Sequence, residues 1–452
     1  MLIPRLQSIP ATVPFPVTAW KTSARCRVGA IVMLRMSWFC VNKLSYLFFS
    51  MRVPMNRSLF ALSLVSVAML AACGKKEEAA APQAAAAASV AAAPAAAVIK
   101  IGHVAPTSGA IAHLGKDNEN GARMAIDDLN AKGLTIGGAK VTFELLAEDD
   151  GADPKQGTAA AQKLVDSKVA GVIGHLNSGT TIPASKLYSD AGIPQISPSA
   201  TNPGYTRQGF KTTFRVVADD VHLGGTLGKY AVTELKGQKI AVIDDRTAYG
   251  QGVADEFEKG VGGAGGKTVA REFTNDKATD FTSILTKIKA AKPDVIFFGG
   301  MDAVAGPMIR QMKQLGIKAK FMGGDGICTG ELPKLSGGAM ADSQVVCAEA
   351  GGVEGEQKVA MDEFKTKFKA KFNADVQIYA PYVYDATNVM VEAMVKADSA
   401  DPAKYLPVLA QTADYKGVTG TISFDEKGDI KNGALTLYTY KAGAREQIAV
   451  VR

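Results

Sequence analysis

The sequence predicts a two-lobed α/β protein in which each lobe is built on a parallel β-sheet. From Val98 onward, short apolar runs alternate with segments whose apolar residues recur at helical spacing. Several of the predicted strands are continuous apolar runs, as in a parallel sheet that is buried on both faces. The segment 98–452 is also longer than one hydrophobic core usually spans, which predicts two lobes.

The predicted elements form two consecutive series. In the first, the spacing predicts strands at 99–104, 141–146, 170–173 and 193–196, helices at 116–131 and 154–166, and a helix after Ser178. In the second, it predicts helices at 220–235, 250–260, 280–291 and 303–315, and strands at 240–243, 268–273, 295–298 and 320–322. The chain then continues with helices at 357–372 and 379–397 and strands at 420–424, 435–440 and 448–451.

The N-terminal region carries the excess positive charge of the chain. Residues 1–54 hold basic but no acidic residues, and the formal net charge of the whole chain is +7. We interpret 1–54 as an upstream extension from a start codon assigned too early; the alternative is a genuine extension. Without this segment, basic and acidic residues balance, which gives no electrostatic case for nucleic-acid binding.

A second N-terminus begins at Met55 and has the form of a secretory signal. A charged start precedes the apolar run Leu59–Leu70, which is too short for a transmembrane span. Leu70-Ala-Ala-Cys73 resembles a bacterial lipobox, so we expect 55–72 to be a lipoprotein signal peptide and Cys73 to be lipidated. The alternative is a plain secreted protein with a chance cysteine. The Ala/Pro-rich stretch at 73–97 is predicted to be a flexible tether.

Two further cysteines, Cys328 and Cys347, lie in the body of the chain. An even pair in an exported protein predicts a disulfide. The alternatives are two free buried thiols or, less well supported, a zinc site, for which close Cys or His companions are missing.

The motif search finds no catalytic set. Gly260-Val-Gly-Gly-Ala-Gly265 matches a dinucleotide fingerprint, but a predicted helix precedes it and a strand follows, so we interpret it as a helix-ending turn. The four histidines are scattered, and we expect each to be a structural or surface residue. For His113, predicted to lie in the loop after the first strand, the alternative is that it lines the cleft. We therefore expect no enzyme activity, no cofactor and no metal.

Two loops rich in hydroxyl groups follow neighbouring predicted strands. Ser178 and Gly179 lie where a helix begins, and Thr201 ends the next loop. The hydroxyl groups and free backbone N–H groups of these loops are suited to bind a ligand carboxylate. The alternative is that these are ordinary turn and cap residues. Asp325 and Tyr249 follow strands of the second series, and Asp325 is suited to a ligand ammonium group. A zwitterion held from both lobes would drive their closure.

The same loops carry a family resemblance. Gly174-His-Leu-Asn-Ser-Gly-Thr-Thr, Ser197-Pro-Ser-Ala-Thr, Tyr249-Gly-Gln-Gly and Phe424-Asp-Glu-Lys-Gly-Asp resemble, in the same order, the branched-chain amino-acid-binding proteins of bacterial ABC importers. The resemblance implies a type I periplasmic binding protein, two Rossmann-like lobes joined by three hinge crossovers. It places the first lobe at about 98–218 plus 350–428, and the second at about 219–349 plus 429–452.

The resemblance also implies roles for individual residues. Ser178 and Thr201 would hold the ligand carboxylate, the Ser199 carbonyl and Asp325 its ammonium group, and Tyr249 would pack over it. The remaining candidate positions are Gly179 and Ala200 in the hydroxyl loops, and Leu114 and Met301 around the ligand side chain, where many relatives have aromatic residues. The chain also departs from its relatives by having Asp325 where a longer Glu is frequent, and Ala152 and Asn177 where a first-lobe disulfide is common.

These expectations describe a lipid-anchored, periplasmic solute-binding protein. It would bind a branched-chain or other aliphatic amino acid and deliver it to an ABC permease in the inner membrane. The rival ligands are an amide, urea or an aromatic acid on the same fold, for transport or sensing. An enzyme on this fold and a structural lipoprotein without a ligand are the remaining alternatives.

Overall fold

The computed structural model describes residues 96–451, apart from the side chain of Glu356. The predicted upstream extension, the signal peptide and Cys73 lie outside these residues, as does nearly all of the tether. The helices are α1 (Ala112–Ala131), α2 (Pro154–Asp166), α3 (Ser178–Asp190), α4 (Asp220–Thr233), α5 (Ala248–Gly263), α6 (Thr282–Ala291), α7 (Asp302–Gln314), α8 (Leu332–Leu335), α9 (Glu356–Phe372), α10 (Ala380–Lys396) and α11 (Pro402–Ala410).

The strands form two large sheets and one short hairpin. They are β1 (Ala97–Ala105), β2 (Thr135–Ile136), β3 (Ala139–Asp149), β4 (Gly171–Gly174), β5 (Gln195–Ser197), β6 (Thr213–Arg215), β7 (Ile240–Asp244), β8 (Thr268–Phe273), β9 (Val295–Gly299), β10 (Lys320–Gly323), β11 (Val345–Glu349), β12 (Tyr415–Gly417), β13 (Gly420–Ile422), β14 (Leu435–Lys441) and β15 (Ala444–Val451). A 3₁₀ turn, Asp325–Ile327, follows β10.

The first sheet has the order β2-β3-β1-β4-β5-β6 and is parallel except for β2. The second has the order β15-β14-β11-β10-β9-β7-β8, with β14 and β15 antiparallel to the rest. The central strand β9 shows why the apolar runs are continuous: helices cover both faces, and every residue from Val295 to Gly299 is buried.

The chain passes three times between the sheets. It leaves the first sheet after β6, returns after β11, where α10 packs against α1, β4 and β5, and leaves again after β13 to add β14 and β15 to the second sheet. The predicted two-lobed α/β fold with three crossovers is therefore confirmed. The precise lobe limits given above stay a prediction.

The glycine motif has the structural role that the sequence predicted. Gly260 lies inside α5, and the chain turns after it, with Gly265 at a φ of +79°. A Cβ at Gly260 would lie 2.3 Å from the backbone oxygen of Gly225, so the glycine lets α4 and α5 pack backbone to backbone. This confirms a helix-ending turn rather than a dinucleotide loop.

The predicted cysteine pair forms a disulfide in the structure. Cys328 and Cys347 are joined, with their Cα atoms 5.4 Å apart, and both are fully buried. The bond ties the segment after the 3₁₀ turn to β11, and so fixes the chain next to Asp325.

None of the helices among the described residues is long and apolar enough to span a membrane.

Candidate functional site

The first hydroxyl loop is held by the start of α3. The helix begins at Ser178, immediately after Asn177, and the Ser178 side chain is buried. The backbone N–H of Asn202 donates a 3.2 Å hydrogen bond to Ser178 Oγ, which joins this loop to the next one. The parallel pairing of β4 with β5 brings both loops to the same sheet edge, as the sequence predicted.

The second hydroxyl loop follows β5 and is fixed by its own serines. Ser197 Oγ donates to the carbonyl of His175 and accepts from the N–H of Ala200, at 3.0 and 2.9 Å. Ser199 Oγ donates to the carbonyl of Leu176 at 3.0 Å. By contrast, the Thr201 hydroxyl is buried beside the buried carboxyl group of Asp220 without a well-formed hydrogen bond to it. Burial raises the pKa of Asp220 well above its ordinary value, and the neighbouring Thr201 hydroxyl opposes that rise. A buried hydroxyl of this kind is costly unless something else bonds to it.

A buried arginine fixes the backbone of this loop through hydrogen bonds to its carbonyl groups. The guanidinium of Arg215, at the end of β6, donates to the carbonyls of Ala200 and Asn202 at 2.8 and 3.0 Å and to Asp429 Oδ1 through Nε at 2.9 Å. Because Asp429 lies in the third crossover, this ion pair fixes the position of Thr201 relative to the chain between the lobes.

Across the cleft, a carboxylate is held by two tyrosines. Asp325 begins the 3₁₀ turn after β10; Tyr249 Oη donates to its Oδ1 at 2.7 Å, and Tyr379 Oη donates to its Oδ2 at 2.9 Å. Burial raises the pKa of Asp325 to about 6, against the opposing effect of the two hydroxyls. Burial, together with the Asp325 charge, raises the pKa of both tyrosines well above the ordinary value, so both stay neutral donors.

These groups meet at a narrow, closed cavity between the lobes, whose free volume for a water-sized molecule is about 0 Å³. Its walls are Leu176, Asn177, Ser178, Ser199, Tyr249, Met301, Asp325 and Tyr379. It adjoins a wider cleft of about 580 Å³, which shares Asn177, Tyr249 and Met301 and is lined further by Gly179 and by apolar residues such as Ile111 and Val304. The cavity is therefore lined by hydroxyl groups of the first lobe, by the Asp325 carboxylate of the second and by the apolar side chains of Leu176 and Met301.

The predicted residues divide into three groups. Ser178, Ser199, Tyr249, Met301 and Asp325 line the cavity, and Gly179 lines the wider cleft. Ala200 and Thr201 are buried in the same loop without forming a wall of the cavity, and Leu114 is fully buried in the core cluster that contains Leu176.

Sequence reasoning missed Leu176, Asn177 and Tyr379 as cavity residues. Leu176 and Asn177 directly precede Ser178, so proximity was a usable signal for them. No signal in the sequence pointed to Tyr379, because only the packing of α10 brings this residue close to Asp325.

The prediction for His113 was wrong in its local structure. His113 lies in the first turn of α1, which begins at Ala112, rather than in a loop. The helix starts early because Ile111 is anchored in the core and Leu114 follows it inward. His113 does not line either cavity; its Nε2 lies 2.7 Å from Asp302 Oδ2 on the other lobe.

Among the described residues, no group of three or more His, Cys, Asp or Glu side chains is arranged to hold a metal ion.

Comparison with known proteins places the chain in a family. Residues 98–445 match the family model described as "Periplasmic binding protein". The chain is 38% identical over 348 residues to a Leu/Ile/Val-binding protein homolog of Brucella abortus, covering 77% of this chain and 92% of the relative. It is 36% identical to the leucine-, isoleucine-, valine-, threonine- and alanine-binding protein of Pseudomonas aeruginosa, covering 76% of this chain and 91% of that protein.

Solved structures agree with the sequence relatives. The branched-chain amino acid transporter substrate-binding protein of Streptococcus pneumoniae, solved with isoleucine, has a TM-score of 0.70 and 29% identity, over 78% of this chain and 99% of that one. A solute-binding protein of Rhodopseudomonas palustris, solved with benzoate, has a TM-score of 0.69 at 20% identity over 78% and 96% of the two chains, which shows the shared fold alone. The chain belongs to the periplasmic binding protein family, the substrate-binding proteins of ABC transporters.

Proposed function

We propose that the protein captures an aliphatic amino acid, such as leucine, isoleucine or valine, between its lobes and delivers it unchanged to an ABC permease in the inner membrane. The observation that carries this proposal is the facing arrangement of the hydroxyl loops and Asp325 across one cavity. A zwitterion has the complementary charges at its two ends. The names of the relatives and the isoleucine complex of the pneumococcal protein support the same ligand class.

The carboxylate end belongs with the first lobe. The N-terminus of α3, at Ser178 and Gly179, presents backbone N–H groups with the positive end of the helix dipole. The buried Thr201 hydroxyl, which makes no well-formed hydrogen bond to the neighbouring Asp220 carboxyl group, adds a neutral donor for a ligand carboxylate in the same loop system.

The ammonium end belongs with Asp325 and with the backbone of Ser199, which both line the cavity. An ionised Asp325 is an acceptor-only group, and its two tyrosine bonds leave lone pairs on each carboxylate oxygen. A bound ammonium group would then compensate the buried negative charge.

The ligand side chain would pack on apolar walls. Met301 and Leu176 line the cavity together with the polar groups, and the thioether of Met301 adapts to side chains of different shape. This favours an aliphatic group and does not distinguish leucine from isoleucine or valine.

Attachment to the membrane by lipidation of Cys73 is part of the proposal. Its support is the lipobox-like sequence after the apolar run Leu59–Leu70. Labelling cells with a radioactive or alkyne-bearing fatty acid should mark the wild-type protein and leave C73A unlabelled. Labelling of C73A, or an unlabelled wild type, would contradict the anchor.

A thermal-shift screen tests the ligand class. A ligand that binds only the folded protein stabilises it by about 2.7 kcal/mol at a concentration of 100 Kd, which shifts Tm by several degrees. We expect this shift with leucine, isoleucine and valine, and none with urea, amides or benzoate. A shift only with the latter compounds would favour the rival receptor, and chemical turnover of any stabilising ligand would favour an enzyme.

A further inference from the structure

A contact outside the ligand cavity also joins the two lobes. His113, in the first turn of α1, lies with its Nε2 2.7 Å from Oδ2 of Asp302, the first residue of α7. The side chain of His113 is 23% exposed, whereas that of Asp302 is fully buried. Helix α1 packs on β1 and β3 of the first sheet, whereas the buried face of α7 belongs to the cluster around β9. The contact therefore exists only when the lobes adjoin.

The Asp302 carboxylate needs a cationic partner. Thr329 Oγ1 donates a 2.6 Å hydrogen bond to its Oδ2, while its Oδ1 has no hydrogen-bond partner among the described residues. No Lys or Arg of the segment 96–451 forms an ion pair with it. The neighbouring Tyr379 and Tyr440 are neutral, since burial raises the pKa of both. A buried carboxylate in this setting is costly unless a charge compensates it, and protonated His113 is the one that the geometry supplies.

The surroundings of His113 favour its protonated form. Burial alone would lower its pKa, but the hydrogen bond to Asp302 and the negative charge of that residue outweigh it. Glu331, which precedes α8 on the second lobe, and Asp117, on α1 itself, add to the effect. The net result is a pKa of His113 above the ordinary histidine value.

We propose that His113 is a proton-controlled latch: its ion pair with Asp302 stabilises the closed lobes and thereby raises ligand affinity without touching the ligand. The latch is coupled directly to the cavity, because Met301, a cavity wall, immediately precedes Asp302 at the start of α7. His113 is thus a positioning residue for closure. That the ligand is an amino acid rests on the function proposed above. The contact between His113 and Asp302 does not depend on the identity of the ligand.

The direction of the pH effect follows from linkage. Opening the lobes separates His113 from Asp302 and returns its pKa toward the ordinary value of about 6.5. Closure therefore favours proton uptake, and protonation favours closure by the same factor. The contribution of this ion pair to closure and affinity is greatest below the pKa of the open form. It falls as pH rises through the raised pKa of the closed form.

Two other histidines, His103 and His222, have pKa values below this window. Burial lowers the pKa of His103 to about 4, and burial also lowers the pKa of His222. His222 is therefore a suitable control, since it is half-buried on α4 and forms no ion pair with an acidic side chain within the described part of the chain.

Calorimetric titration of the purified protein with leucine at pH 6.5 and pH 8.5 tests the latch. We expect Kd to be roughly three- to tenfold higher at pH 8.5 for the wild type and for H222Q, because His113 is partly exposed and the pair therefore contributes less than a fully buried charge-assisted hydrogen bond. H113Q should bind with nearly the same Kd at both pH values, close to that of the wild type at pH 8.5. D302N, as a second variant, should also lose the pH dependence. A wild-type Kd that does not change with pH, or a pH dependence that persists in H113Q, would overturn the proposal.

A second measurement separates the latch from the choice of ligand. If leucine does not bind the wild type at either pH, the proposed ligand is wrong, and small-angle scattering of the protein alone then tests the latch. The latch predicts a larger radius of gyration at pH 8.5 than at pH 6.5 for the wild type and for H222Q, but no change for H113Q. Equal radii for the wild type would refute it.

Discussion

The hydroxyl of Tyr379 donates a 2.9 Å hydrogen bond to Oδ2 of Asp325. Tyr379 directly precedes α10, which packs on the first sheet, whereas Asp325 follows β10 of the second. Tyr249, on the second lobe, donates to the other carboxylate oxygen, so Asp325 accepts hydrogen bonds from one neutral donor of each lobe. An amino-acid ligand would add the positive charge that this buried group lacks.

The first prediction concerns acid. Because burial raises the pKa of Asp325 to about 6, leucine affinity should decline as pH falls below 6, approaching tenfold per pH unit, since an ammonium group binds only the ionised carboxylate. D325N should bind leucine more weakly at pH 7, by about 1.5–3 kcal/mol, and should lose this acid dependence. Calorimetry from pH 5 to 7 measures both. D375N, a change of an exposed carboxylate, serves as the control, and an unchanged Kd in D325N would remove Asp325 from the site.

The second prediction separates binding from stability at Thr201. T201V preserves the shape of the side chain and removes a buried hydroxyl that neighbours the Asp220 carboxyl group without a well-formed hydrogen bond to it, so Tm should change by no more than about 2 °C. Leucine affinity should nevertheless fall by about 1.5–3 kcal/mol, if this hydroxyl bonds to the ligand carboxylate. T387V is the matched control, because Thr387 is buried and donates only to the carbonyl of Val383 in its own helix. Equal binding by T201V and the wild type would show that Thr201 does not contact the ligand.

The third prediction concerns the buried arginine. R215M should lower the free energy of unfolding by about 3–5 kcal/mol, because it leaves Asp429 and the carbonyls of Ala200 and Asn202 without their cation. Chemical denaturation measures the loss. R123M, which removes a half-exposed side chain paired with Glu119 on the same helix, should cost less than about 1 kcal/mol. Similar losses in the two variants would mean that the Arg215 network contributes little.

The fourth prediction concerns the disulfide. The bond between Cys328 and Cys347 closes a loop with a sequence separation of 19 residues, and the double variant C328A/C347A should be less stable by about 3 kcal/mol. Thermal unfolding with and without a reducing agent measures this: reduction should lower the Tm of the wild type and leave that of the double variant unchanged. A wild-type Tm insensitive to complete reduction would contradict it.

Local signals explain why much of the fold was predictable. The helix at 154–166 was predicted with its observed limits because Pro154 occupies its first position and Asp153 caps it by accepting from two backbone N–H groups. The strand at 268–273 was also predicted with its observed limits.

Elements that depend on their neighbours were missed. Strand β11 (Val345–Glu349) is a short apolar run whose strand state comes from pairing with β10 and β14. Helix α11 contains Pro407, which interrupts a helical pattern, and its buried residues Tyr405 and Leu409 hold it in place. Tertiary packing overrides weak local preference in both cases.

The sequence by itself determined the order of strands and helices, the two hydroxyl loops at one sheet edge and the acid that faces them, because periodicity and strand ends are local properties of the chain. Only the tertiary structure decided which side chains meet between the lobes. Tyr379 and Asp325 are 54 residues apart and His113 and Asp302 are 189 residues apart, so their contacts follow from how the lobes pack against each other. The same packing buries Leu114 in the core, so that Leu176, rather than Leu114, lines the cavity.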